Sequence, residues 1–178
     1  MDRFLILHGW GGSDYPHWQA WLAAELAKDY GTVSFPLIMH PHHPNRKRWS
    51  AQVVDHLNRF LPTTVICHSL ACTLWFWLCK EEKIKGVERV LLVSPPGLNT
   101  DIELLKSFFP AQLPKELFAD EALMVVSDDD PYIDKEEAET MTRFLGIDIV
   151  WLHGAGHINE KSGYGEWPWV LNWCRREV

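Results

Sequence analysis

The sequence is short of positive charge: 17 lysines and arginines face 24 aspartates and glutamates, a net charge of -7 with histidine neutral. A surface of that sign offers no electrostatic footprint for a nucleic-acid backbone or an anionic membrane, so neither is expected as a partner. Long hydrophobic runs are missing too. The longest, residues 70–79, is far below the roughly 20 residues that span a bilayer. The opening Met1-Asp2-Arg3-Phe4-Leu5-Ile6-Leu7 lacks the extended apolar core and small-residue cleavage site of a secretory signal. Cysteine is sparse and shows no paired spacing. Cys67, Cys72, Cys79 and Cys174 read as buried free thiols in a reducing compartment, and the expected location is cytoplasmic. There is no internal repeat or low-complexity tract. At 178 residues the chain is expected to form one domain, 1–178, with room for a sizeable core.

Two chemistries fail for want of particular residues. The loop Gly9-Trp10-Gly11-Gly12-Ser13-Asp14 lacks the final glycine of a dinucleotide fingerprint, and the second strand ends without the acidic residue a ribose needs. His40, His42 and His43 lie in a proline-rich loop with no carboxylate or cysteine at ligand spacing. No cofactor and no metal are expected.

What is present is an alternation of short apolar runs with amphipathic stretches. Hydrophobic residues make up 47% of the chain and charged ones 23%, a globular balance that argues against disorder. Residues 4–7 are wholly apolar, as in a strand buried on both faces, and 32–35, 63–67, 90–93, 123–126 and 147–152 read as five more strands. Helical spacing occupies 16–30, stopped by Gly31, and 49–61, closed by Pro62. It recurs over 70–83, over 134–145 before Gly146, and near 167–176. Residues 98–120, broken by Pro110 and Pro114, are expected to hold one or two short helices. This alternation predicts an α/β fold with a six-stranded, mainly parallel, doubly wound sheet. Of the ten tryptophans, Trp18, Trp21, Trp75, Trp77 and Trp173 sit at helix-core positions, while Trp10 and Trp151 lie nearer strand ends, where either could line a pocket.

The stretch Val65-Ile66-Cys67-His68-Ser69-Leu70-Ala71-Cys72 turns from strand to helix within one residue. Such a corner strains its central residue and needs small neighbours two positions away, here Cys67 and Ala71. Ser69 is thereby a candidate nucleophile. A serine hydroxyl needs a base, and the base needs a carboxylate on its other nitrogen. In an open parallel sheet such groups gather beyond the carboxyl ends of the strands. There the chain offers His157 and the run Asp128-Asp129-Asp130 before Pro131. Asp130 is the first choice of acid, Asp129 the second, and Asp128 a cap or solvated residue. An oxyanion would be met by the Leu70 N–H and by a second N–H from Trp10 or Gly11. His8 is expected to brace that loop, His68 to pack beneath the turn facing away from His157, and Cys67 to be inert.

Four motifs then resemble one family: His8-Gly-Trp-Gly-Gly, Cys67-His-Ser-Leu-Ala, Ser127-x-x-Asp130-Pro-Tyr-Ile and Gly156-His157-Ile-Asn. Their order is similar to that of the small serine hydrolases related to retinoblastoma-binding protein 9 and its bacterial relatives. The resemblance implies an α/β-hydrolase-like three-layer sandwich with little or no lid. It implies Ser69 as nucleophile, Asp130 as triad acid and His157 as base. The short connection from Pro95 to Asp120 leaves little room for a large lid, so an open site and a small or accessible acyl substrate are expected. One position departs from the pattern: Cys67 stands where the elbow usually carries its first glycine. The competing expectation is a binding or scaffold protein on the same fold, with a protein partner and weak or lost catalysis.

Overall fold

The computed structural model describes residues 1–28 and 32–178. Its strands are β1 (Arg3–Leu7), β2 (Thr32–Ser34), β3 (Thr64–His68), β4 (Val87–Val93), β5 (Ala119–Ser127) and β6 (Asp148–Leu152). They pair in the order β2-β1-β3-β4-β5-β6, and every pairing is parallel. The expected mainly parallel sheet is therefore parallel throughout.

Because side chains alternate along a strand, each strand divides its residues between two cores. Leu5, Leu7, Val65, Cys67, Leu92 and Met124 face α2 (Arg46–Phe60), α3 (Leu70–Lys80) and α4 (Lys135–Leu145). Phe4, Ile6, Ile66, Leu91, Val93 and Val125 face α1 (Trp18–Lys28) and α5 (Pro168–Cys174). These are the three layers. Nine of the 11 residues of α3 are buried, so this helix lies deep against the strand that feeds it. All four cysteines are free and buried.

The helices start and stop where local chemistry directs. The Asn45 side chain accepts the Arg48 N–H at the head of α2, and that of Asp134 accepts the Glu137 N–H at the head of α4, which ends on left-handed Gly146. The expected extension of α1 to Tyr30 and its stop at Gly31 lie outside the described residues. β4 and β5 begin earlier than their apolar runs. Arg89 is buried there by an ion pair with Glu121 at 3.1 Å and by stacking 3.8 Å from the Trp173 ring. Residues 98–118 hold a single 3-10 turn, Glu103–Leu105, in place of the short helices expected. Among the described residues there is no lid, and no helix is long and apolar enough to cross a membrane.

The order of strands creates a crevice. From β1 the chain moves outward to β2 and then crosses back to β3, so the connections leaving β1 and β3 diverge to opposite faces of the sheet. Ligand sites of open α/β sheets lie at such a reversal, beyond the carboxyl ends of the strands.

Candidate active site

Ser69 stands at the end of β3 with φ 55° and ψ -122°, a conformation that L-residues avoid. Its N–H is held by the Val93 carbonyl at 2.9 Å. The corner is crowded: a Cβ on Gly9 would lie 2.9 Å from Ser69 Cβ and 3.1 Å from the His68 carbonyl oxygen. Only glycine lets the loop after β1 come this close to the elbow. Cys67 causes no such conflict. It stays in regular register between Leu7 and Leu92, fully buried, with burial pushing its thiol well above the ordinary range.

The Ser69 hydroxyl lies 2.7 Å from His157 Nε2, and His157 Nδ1 lies 3.0 Å from both carboxylate oxygens of Asp130. With Nδ1–H donated to the carboxylate, Nε2 is left to accept the serine proton. The three adjacent aspartates have separate tasks. Asp128 takes the Gly154 N–H at 2.9 Å and pairs with His153 at 2.5 Å. Asp129 takes the Gly156 N–H at 2.8 Å and the Ser127 hydroxyl at 2.5 Å. Both carboxyls are held below the usual range, first by the Gly154 N–H for Asp128 and first by the Ser127 hydroxyl for Asp129. Only Asp130, which also accepts the Tyr132 N–H at 2.9 Å, reaches His157.

The loop after β1 is braced as expected. His8 Nε2 accepts the Ile38 N–H at 2.8 Å, which puts the ring proton on Nδ1, and Nδ1 donates to the Gly9 carbonyl at 2.7 Å. The Gly11 N–H is spent on the Pro41 carbonyl at 2.9 Å, so Gly11 is not free to meet an oxyanion. Trp10 and Leu70 donate their backbone N–H groups to no described residue.

His68 departs from the expectation that it faces away from His157. Its Nε2–H donates to the His157 carbonyl at 3.0 Å, and the two rings lie 5.2 Å apart. His17, which the sequence pattern absorbed into a helix, packs 4.9 Å from the His68 ring. Burial is the main cause that lowers all three supporting histidines: His8, His68 well below the ordinary value, and His17 to about 4. These rings are neutral at neutral pH.

A cleft of about 240 Å³ opens over Ser69. Its lining includes the apolar Trp10, Leu70, Pro96 and Leu105 and the polar His17, Asn159 and Lys161. Trp10 is 38% exposed at the rim, whereas Trp151 packs against the core under Lys135 and does not line the cleft. A larger, open hollow of about 910 Å³ lies at the opposite end of the sheet and is lined by no serine, cysteine or histidine. Among the described residues no group of three or more His, Cys, Asp or Glu is placed to hold a metal ion.

A family model described as serine hydrolase matches residues 4–176. The chain belongs to the serine hydrolase family. Solved structures extend the likeness of this serine hydrolase over nearly its whole length. The ydeN gene product of B. subtilis superposes with a TM-score of 0.87 at 18% identity, covering 99% of this chain and 98% of that one. A YdeN-like hydrolase from Pectobacterium atrosepticum gives 0.76 at 20% identity, over 98% and 89% of the two chains. The esterase domain of a Rhodothermus marinus protein gives 0.65 at 15%, over 98% and 87%. At these identities the likeness is one of fold. No curated protein sequence matches.

Proposed function

We propose that this serine hydrolase is an esterase-type acyl hydrolase with a Ser69-His157-Asp130 triad. The observation that carries the reading is the 2.7 Å contact between His157 Nε2 and the hydroxyl of a serine held at φ 55°. In this scheme Ser69 Oγ attacks the acyl carbon and its proton passes to His157 Nε2. Collapse breaks the bond to the leaving oxygen, which receives that proton. Water then attacks the acyl-enzyme, giving one proton to His157, and Ser69 regains it as the acid departs. Asp130 holds the imidazole in the required tautomer and steadies the imidazolium. The Leu70 and Trp10 N–H groups stabilise the oxyanion.

The small, lidless cleft supports a small or accessible acyl substrate. Four unpaired buried thiols support a cytoplasmic place of work. The binding-protein alternative is motivated by the Cys67 departure and by the name of the family's best-known member; Cys67 itself keeps regular strand register beside Ser69, which weakens the first of these. A fluorophosphonate probe tests the reading: the wild type is expected to be labelled and Ser69→Ala not. An unlabelled wild type would sink it.

A further inference from the structure

His17 is 2% exposed, yet its ring forms part of the wall of the Ser69 cleft. It immediately precedes α1 and is anchored there. Nδ1 accepts the Gln19 N–H at 3.1 Å, which assigns the ring proton to Nε2. No described residue accepts that Nε2–H. Burial and the neighbouring His157 hold the ring neutral to about pH 4, so beside His157 it is a donor without a charge.

Its position selects one part of the substrate. The leaving oxygen must meet His157 Nε2, because that atom delivers its proton. His17 lies on this side: its ring meets that of His68 edge-on, His68 holds the His157 carbonyl, and the following Trp18 indole N–H donates to the Ile158 carbonyl at 2.8 Å. The apolar part of the lining, Leu70, Pro96 and Leu105, suits the acyl chain. Asn159 shares this lining, its side-chain oxygen bound to the Ser162 N–H and its amide nitrogen a second donor.

We propose that His17 reads the leaving group, its Nε2–H donating to an oxygen of a hydroxylated alcohol, so that esters of glycerol-like polyols are favoured over esters of plain alkyl alcohols. The inference rests on the acyl-hydrolase reading above and names its substrate class. A site built to donate to such an oxygen leaves the N–H unpaired when the oxygen is absent, which is a strong form of discrimination.

Two substitutions separate this role from mere packing. His17→Asn keeps an acceptor at the δ position for Gln19 but loses the ε donor; His17→Gln keeps a donor near the ε position. The readout is the ratio of kcat/KM for 1-acetylglycerol over propyl acetate, in which any general loss cancels. In His17→Asn the ratio is expected to fall roughly 3- to 10-fold, the worth of one neutral hydrogen bond. In His17→Gln it is expected to stay within about twofold of wild type. A ratio unchanged in His17→Asn, or falling equally in both variants, overturns the assignment. A second measurement needs no variant: glycerol should slow fluorophosphonate labelling of the wild type at lower concentration than 1-propanol, and the reverse order overturns the assignment. Failure of the probe to label the wild type at all would instead remove the hydrolase reading beneath it.

Discussion

Gly9→Ala is the smallest change that should disable the site, and its effect can be worked from distances. The new methyl would lie 2.9 Å from Ser69 Cβ, 3.1 Å from the His68 carbonyl oxygen and 3.4 Å from the Leu70 nitrogen. Carbon atoms rest about 3.5–4.0 Å apart, so the shortfall against Ser69 Cβ is about 0.6–1.1 Å. None of the three neighbours is a side-chain end that can swing aside; two are backbone atoms and the third is Cβ of the proposed nucleophile. The loop after β1 must therefore retreat, carrying the Trp10 N–H away from the proposed oxyanion position. Losing one such donor typically costs about 10²- to 10³-fold in kcat, while overpacking costs about 1–3 kcal/mol of stability. The expected outcome is a fall of about 10²-fold in kcat on p-nitrophenyl acetate, with KM little changed. Gly146→Ala provides the contrast. At φ 67°, with no atom within 4 Å, it should lose about 1–2 kcal/mol of stability to backbone strain and leave the rate unchanged. Thermal melts run beside the kinetics separate the two effects. A Gly9→Ala enzyme within threefold of wild-type kcat would refute the steric reasoning.

Two further outcomes test the electrostatics. Asp130→Asn should lower kcat by about 10³- to 10⁴-fold by releasing the imidazole tautomer, whereas Asp129→Asn, which loosens the Gly156 turn, should cost far less rate and lower the melting temperature; steady-state kinetics and melts on both decide it, and equal rates would undo the assignment of the acid. Acid should destabilise the fold in a defined window. The unfolded chain takes up protons on His8, His17 and His68 below their ordinary pKa of 6.5, while the folded chain resists, in the case of His17 down to about 4. Stability from these rings is thus present above 6.5 and lost as pH falls from there toward 4, at up to about 1.4 kcal/mol per pH unit for each ring. His153, raised chiefly by Asp128, titrates in the opposite sense. Melting temperatures from pH 7 to 4 should show the loss, with a shallower slope in His17→Gln; a flat profile would refute it.

The apolar centre of the sheet was legible because Leu5-Ile6-Leu7, Val65-Ile66-Cys67 and Leu91-Leu92-Val93 must be buried on both faces to occur at all in a globular chain. The elbow was legible for a related reason: a strand and a helix meeting at Ser69 leave no other geometry. What escaped was set by partners distant in sequence. Glu88 and Arg89 fall outside the apolar run 90–93, because the Glu121 and Trp173 that hold Arg89 in the strand are 32 and 84 positions away. That the Gly11 N–H is taken depends on a carbonyl at Pro41, 30 positions on. His17 was hidden by helical spacing, although topology contains the clue: a helix that follows β1 begins at the edge where β1 ends, so a histidine at its start stands beside the site.

The edge position of β6 matters for how the protein fails. The proposed base, His157, is delivered by the strand at the sheet's margin, while the proposed nucleophile, Ser69, sits near its centre. Asp128 and Asp129 lash the His157 loop to the end of β5, so the loop moves with those two strands as one piece. Fraying there would separate base from nucleophile while β1, β3 and β4 stayed intact. Activity would then report the integrity of the weakest margin, and a preparation could keep most of its folded signal after its chemistry had gone.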